Sequence, residues 1–155
     1  MSSGFEWLDL KTWSVAERRA LASHHFGSGY DLLPALSPDG REVAIGGQGQ
    51  GLAVNFWNAD LKTSPRQFEG HQDFLHAIAY SPDGRTLATG GVDGLLKLWH
   101  LPTGREIGTL ATFDHQVTFR KLAFSPDGSW LGVLVRDGTL HLWHAPSLAE
   151  LDQQH

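Results

Sequence analysis

Residues 81–99, SPDGRTLATGGVDGLLKLW, combine two tight-turn sequences with a tryptophan, and this combination decides the fold. In the turn at 81–84, proline presets the backbone of the second position and glycine tolerates the closing geometry. Asp93-Gly94 lies between two apolar runs, which is the strongest short-range signal for a β-hairpin. The stretch therefore predicts strands on either side of two turns, with the last strand ending at Trp99.

The same markers return along the chain at a nearly constant interval. Ser-Pro-Asp-Gly occurs at 37–40, 81–84 and 125–128, and each copy begins 44 residues after the last. Tryptophans at 13, 57, 99 and 143 are separated by 44, 42 and 44 residues. A period of this length indicates an array of repeated supersecondary units. Because the segments between markers are short apolar runs joined by turns, each unit is predicted to be a small antiparallel sheet.

The composition is that of a folded domain. Of 155 residues, 41% are hydrophobic and 19% are charged. The net charge is −5 and the longest basic run is Arg18-Arg19, which argues against nucleic acid as a partner. There is no cysteine, no secretory signal pattern and no apolar run long enough to span a bilayer. We expect a cytoplasmic protein with no membrane partner.

The period, the strand-ending tryptophans and a Gly70-His71 pair resemble the WD-repeat family over nearly the whole chain. The resemblance implies a β-propeller, in which each repeat forms one four-stranded blade. We therefore expect an all-β, incomplete propeller of about three and a half blades. Residues 5–23 are predicted to be the trailing strands of an incomplete blade. The three repeats are predicted at 24–69, 70–110 and 111–152.

The resemblance also implies a structural hydrogen-bonded tetrad in each repeat. The middle repeat has all four residue types, at His71, Thr89, Asp93 and Trp99. The third repeat keeps His115, Asp137 and Trp143 but has Val133 in place of the hydroxyl residue. The first repeat keeps only Trp57, with Ile45 in place of the hydroxyl residue. The middle blade is therefore expected to be the most rigid.

Three and a half blades cannot close a ring, so the first and last sheets are expected to expose apolar faces. Two explanations stay open. Copies of the chain assemble into a ring, as a homo-oligomer with a mainly structural role. Alternatively, the chain is the severed C-terminal part of a larger regulatory protein. Its ending, residues 142–151, resembles the closing segment of bacterial WD-repeat chains, several of which are fused to Ser/Thr kinase domains.

The leading prediction for function is a non-catalytic interaction module or scaffold that binds a protein or peptide, with no cofactor and no metal. Asp39, Asp83 and Asp127 occupy equivalent turns, so turn chemistry explains them better than acid–base catalysis does. By resemblance, the partner is expected on the top face of the propeller, where aromatic and arginine side chains are natural hot spots. The candidate contact residues are Tyr30, Gln72, Phe74, Val92, Gln116, Thr118 and Arg136.

Overall fold

The computed structural model describes residues 7–28, 32–46, 52–58, 60–61, 66–114 and 117–145. Within these residues the chain forms thirteen strands in four antiparallel sheets and no helix. Neighbouring strands of each sheet follow one another in the chain, as short turns require. The predicted all-β fold, an incomplete propeller with open end sheets, is confirmed.

The four sheets differ in their number of strands. A leading hairpin pairs β1 (Trp7–Ser14) with β2 (Arg19–Ser28). Sheet 1 contains β3 (Leu33–Leu36), β4 (Glu42–Gly46), β5 (Val54–Asn58) and β6 (Arg66–Phe68). Sheet 2 contains β7 (Leu75–Tyr80), β8 (Thr86–Gly91), β9 (Leu95–His100) and β10 (Arg105–Thr112). Sheet 3 contains β11 (Phe119–Phe124), β12 (Trp130–Val135) and β13 (Leu140–His144).

Two strands extend past repeat boundaries that the sequence markers predict. β2 continues to Ser28, beyond the boundary at residue 23, and β10 continues to Thr112, beyond the boundary at residue 110. Both are last strands of their sheets, and each keeps pairing with the strand before it. The pairing therefore extends each strand into residues that sequence markers place at the start of the next repeat.

The register of the strands repeats from sheet to sheet. Each strand-ending tryptophan pairs with an apolar residue of the preceding strand: Trp57 with Val43, Trp99 with Leu87 and Trp143 with Leu131. Because side chains alternate across a strand, an identical register places the same sequence positions on the same face of every sheet. The sheets are therefore equivalent layers of a stack.

Neighbouring sheets bury apolar side chains between them. The first strands, β3, β7 and β11, contact one another in chain order. Three clusters fill the spaces from the hairpin to sheet 3. The cluster between the hairpin and sheet 1 contains Leu10, Ala22, Val43, Ile45 and Trp57. The one between sheets 1 and 2 contains Val54, Phe56, Phe68, Leu75, Leu87 and Trp99. The one between sheets 2 and 3 contains Ala88, Leu96, Phe119, Leu122, Leu131 and Val133.

The three Ser-Pro-Asp-Gly turns form a common end of the stack. In the middle turn, the Ser81 hydroxyl donates to Asp83 and accepts from the backbone N–H of Thr86 at 2.9 Å. The turns at 37–40 and 125–128 repeat the same bonds. The hydrogen bond from Ser81, followed by the one from the Arg85 N–H, holds the pKa of Asp83 below its usual value. The three aspartate carboxylates are therefore hydrogen-bonded within their own turns.

Candidate functional site

The residues predicted to form the middle tetrad come together at the other end of sheet 2. His71 lies in the loop before β7, Thr89 lies in β8, Asp93 lies in the turn between β8 and β9, and Trp99 lies near the end of β9. His71, Thr89 and Trp99 are buried. Four separate segments of the chain are thus brought to one place by the pairing of β7, β8 and β9.

Hydrogen bonds join the four side chains in series. The Trp99 Nε1–H donates to Thr89 Oγ1 at 2.8 Å, and Thr89 Oγ1 lies 2.7 Å from His71 Nε2. His71 Nδ1 lies 2.9 and 3.0 Å from the two carboxylate oxygens of Asp93. When the neutral imidazole carries its proton on Nδ1, this N–H donates to Asp93 and the Thr89 hydroxyl donates to His71 Nε2. The series therefore ties the loop before β7 to the third strand of the sheet.

Asp93 also holds two backbone segments. Its carboxylate accepts from the N–H of Gln72 at 2.9 Å and from the N–H of Leu95 at 3.1 Å. Burial acts to raise the pKa of Asp93, but these two N–H groups and His71 together lower it below 3.8. The carboxylate is therefore ionised at neutral pH and fixes the loop before β7 against the β8–β9 turn.

The pKa of His71 is lowered from its usual 6.5, and burial is the largest cause. Lys97 acts in the same direction, whereas Asp93 and Glu106 oppose the shift. A neutral imidazole can accept a hydrogen bond from the Thr89 hydroxyl and donate one to Asp93 at the same time. The tetrad is thus a closed hydrogen-bonded network with its members inside the protein, and this geometry suits a structural role.

The other two repeats have only parts of this network. In sheet 3, Val133 is fully buried at the register of Thr89, and Asp137 accepts from the Thr139 N–H of its own turn at 2.7 Å. His115 lies outside the described residues. In sheet 1, the buried Trp57 packs against the His24 ring, with centroids 4.1 Å apart. Sheets 1 and 3 thus have a buried apolar residue, Ile45 or Val133, where sheet 2 has the Thr89 hydroxyl.

The candidate binding residues occupy the same end of the stack as the tetrad, in two equivalent pairs. The Val92 N–H donates to the Phe74 carbonyl at 2.8 Å, and the Arg136 N–H donates to the Thr118 carbonyl at 2.9 Å. Phe74 and Thr118 directly precede the neighbouring first strands β7 and β11, which contact each other. The structure therefore places the two pairs side by side.

These pairs offer different chemistry to a partner. Phe74 is 37% exposed, and Val92 and Thr118 are half-buried. Arg136 is exposed. Gln72 is also exposed, and its backbone is held by Asp93. Tyr30 and Gln116, the other two predicted contact residues, lie outside the described residues. The described part of the surface combines an aromatic ring with a cation.

Residues 62–100 and 107–144 each match the family model of the WD domain, G-beta repeat. Both segments are similar to WD40 repeats. A comparison with curated protein sequences gave no match. The two matched segments cover most of sheets 2 and 3, including the Trp99 and Trp143 strands. WD40 repeats in general form non-catalytic modules for protein interaction.

Metal binding and membrane insertion are two other classes of function. No group of three or more His, Cys, Asp or Glu residues is placed to hold a metal ion in the part of the chain that the structure describes. Among the same residues, none belongs to a helix long and apolar enough to cross a membrane.

Sequence reasoning missed one packing feature between the sheets, which we call the glycine sockets. A Cβ at Gly90 would lie 2.6 Å from the Phe119 ring of sheet 3. A Cβ at Gly46 would lie 2.6 Å from Leu75 Cδ1 of sheet 2. In both cases a large residue from the first strand of the following sheet packs directly on the glycine backbone. The signal was present, because Gly46 and Gly90 are 44 residues apart, as are Leu75 and Phe119.

Sequence reasoning also missed a group of polar contacts between sheets 1 and 2, which we call the polar clasp. Arg66 forms two bonds to the Glu42 carboxylate, at 2.9 and 3.2 Å, and donates to the Leu101 carbonyl at 3.1 Å. The Tyr80 hydroxyl donates to Glu42 Oε1 at 3.0 Å. Burial, followed by the Glu42 charge, raises the pKa of Tyr80. These four residues occur once rather than periodically, so no repeat pattern in the sequence points to them.

Proposed function

We propose that the chain is an interaction module that binds a protein or peptide at the end of the stack formed by Gln72, Phe74, Val92, Thr118 and Arg136. We call this surface the Phe74–Arg136 surface. The observation that supports it is the pair of equivalent backbone bonds that set Phe74 beside Val92 and Arg136 beside Thr118.

The proposal also rests on the rigidity of the support. The Gln72 backbone is held by Asp93, which is itself held by the buried tetrad. A side chain on a fixed backbone loses less conformational freedom when a partner binds. Phenylalanine contributes apolar area, and arginine contributes planar donors suited to a carboxylate. The preferred ligand is therefore a peptide that combines an apolar residue with an acidic one.

Selection from a random peptide library on the immobilised 155-residue chain tests the proposal. Selected peptides are labelled, and their affinities are measured by fluorescence anisotropy for the wild type and for the double variant Phe74→Ala/Arg136→Ala. We expect the double variant to bind at least about tenfold more weakly, since truncated hot spots commonly cost that much or more.

The matched control is Arg85→Ala, an exposed arginine in the Ser-Pro-Asp-Gly turn at the opposite end of sheet 2. It should leave peptide affinity unchanged. Equal binding to the wild type and the double variant would reject the Phe74–Arg136 surface. Loss of binding with the Arg85 variant would place the site at the other end of the stack.

A further inference from the structure

Sheet 3 has one face without a neighbouring sheet among the described residues. Its inward residues on β12, including Leu131 and Val133, belong to the cluster shared with sheet 2. The alternate residues point the other way, and Trp130, Leu140 and Leu142 on this side are 44%, 58% and 58% exposed. We call this side the outer face of sheet 3. Its members are Lys121, Ala123, Trp130, Gly132, Leu134, Leu140, Leu142 and His144.

The outer face is continuous and largely apolar. Leu142 Cδ2 and Leu140 Cδ1 would lie 3.5 and 3.8 Å from a Cβ at Gly132, so both leucines lean over that glycine. The Trp130 ring lies against the His144 ring, with centroids 4.5 Å apart. Three exposed large apolar residues on one small sheet are more than scattered surface hydrophobes, and such patches mark interaction sites.

The equivalent face of sheet 2 shows what such a face packs against. Leu96 and Leu98 hold the positions of Leu140 and Leu142, and sheet 3 covers them. Leu96 is 0% exposed as a result. The natural complement of this face is therefore another apolar sheet face, as in sheet-on-sheet packing generally.

A further blade in the same packing register does not fit the outer face. Gly46 and Gly90 form the sockets that receive Leu75 and Phe119 of the following sheets. At the same register sheet 3 has Leu134, which pairs with Leu140 as Gly90 pairs with Leu96. The outer face therefore lacks the socket that receives a first strand.

The leading hairpin is a poorer complement. Its outward side carries Asp9, which pairs with both Lys11 and His25. In the described residues the hairpin has two strands, whereas the outer face of sheet 3 has three. Covering sheet 3 with this hairpin would place charged groups on leucines, at a cost in desolvation.

We propose that two copies of the chain associate through the outer face of sheet 3, related by a twofold axis. Each copy then supplies the apolar three-stranded face that the other lacks, and a twofold contact uses the same patch on both copies. The contact closes at two copies, since each chain has one such face in its described residues. The Phe74–Arg136 surface lies at the ends of the sheets and takes no part.

The size of the face limits the affinity. Three strands of five or six residues cover roughly 15 by 20 Å, from ordinary strand spacings. This footprint is smaller than that of a standard specific interface, so we expect a weak dimer with a dissociation constant on the order of 100 µM. Sedimentation velocity and light scattering on the 155-residue chain, from about 1 to 500 µM, cover this range. The expected species at the high end has twice the 17.0 kDa mass of one chain.

Matched variants locate the interface. Leu140→Glu/Leu142→Glu and the separate variant Ala123→Arg place charges on two different strands of the outer face. Both should raise the dimer dissociation constant at least tenfold while the near-ultraviolet circular dichroism stays that of the folded chain. Trp13→Glu/Leu21→Glu changes two exposed apolar residues of the hairpin and should leave the dimer constant unchanged.

Each possible result either supports or overturns the twofold dimer. A wild-type chain that stays monomeric at the highest concentration overturns the proposal. A folded Ala123→Arg variant that still dimerises as the wild type does overturns it as well, even if the leucine variant fails to fold. Dissociation by the hairpin variant, or assembly beyond two copies, would indicate a head-to-tail contact instead.

Discussion

Sheets 2 and 3 are two copies of one sequence pattern that end in different physical states. Both have the same register, the same turns and the same tryptophan position. Sheet 2 lies between two neighbours, has a complete tetrad and provides a glycine socket for Phe119. Sheet 3 has one neighbour among the described residues, a valine in place of the tetrad hydroxyl, and a leucine in place of the socket. The two sheets thus differ in their neighbours, in their tetrad and in their socket.

The comparison shows which positions carry the difference. A residue between two sheets must match the shape of the neighbour, because protein interiors are close-packed. A residue on an uncovered face has no such constraint. Changes to sheet 2 are therefore expected to cost more stability than changes to the uncovered face of sheet 3, and four experiments probe the features in which the two sheets differ.

The largest effect is expected from exchanging the socket residue. Gly90→Leu brings a side chain into the Phe119 ring, so the two sheets must separate. We expect a loss of at least about 4 kcal/mol in the free energy of unfolding, or no cooperative folding. Leu134→Gly, the reverse exchange on sheet 3, should cost only about 1 kcal/mol, as glycine does within a strand. Urea unfolding measures both, and similar losses would refute the distinction.

The equivalent leucines should differ next most. Leu96→Ala leaves a cavity between sheets 2 and 3 and should cost about 3 kcal/mol. Leu140→Ala, at the same register on the outer face of sheet 3, should cost less than about 1 kcal/mol, because its side chain is more than half exposed. Chemical denaturation at low protein concentration, where the chain is monomeric, gives both values. Equal costs would mean that sheet 3 is covered in the monomer.

A smaller loss is expected when sheet 2 is given the tetrad of sheet 3. Thr89→Val leaves Trp99 Nε1 and His71 Nε2 buried without their shared partner, which should cost about 2 kcal/mol. Thr86→Val, in the same strand at the edge of the Ser-Pro-Asp-Gly turn, is the control and should change stability by less than about 0.5 kcal/mol. An unchanged stability for Thr89→Val would mean that the tetrad contributes no net free energy.

The smallest effect is a dependence on pH. Burial lowers the pKa of His71, so the unfolded chain takes up a proton near pH 6.5 that the folded chain resists. The contribution of neutral His71 is full above this pH and is lost as the pH falls below it. The slope should not exceed about 1.4 kcal/mol per pH unit for one proton. Denaturation of the wild type and of His71→Gln between pH 8 and 5 should give a shallower slope for the variant.

Much of the fold could be predicted from sequence because its signals are local and repeated. Ser-Pro-Asp-Gly and Asp-Gly set turns through backbone preferences that act over four residues. The period of the tryptophans then aligned the strands, and the contacts of His71 with Thr89 and Asp93 followed from family resemblance. Each of these inferences needs only positions along the chain.

Other features could not be predicted in this way. The clasp of Glu42, Arg66 and Tyr80 joins residues of two sheets that share no periodic marker. The sockets at Gly46 and Gly90 are visible as a period, but their meaning depends on which side chain faces them across the space between sheets. Whether Leu140 is buried or exposed depends on the presence of a neighbour, which its own strand does not encode.

By itself, the amino-acid sequence determined the turns, the strands, their register and the order of the sheets, since these depend on backbone preferences and on alternation along each strand. Only the tertiary structure decided which faces are covered, which glycines receive a neighbour and which polar groups meet between sheets. The physical reason is that burial is a property of two surfaces in contact, and two identical stretches of sequence differ in it when only one of them has a neighbour.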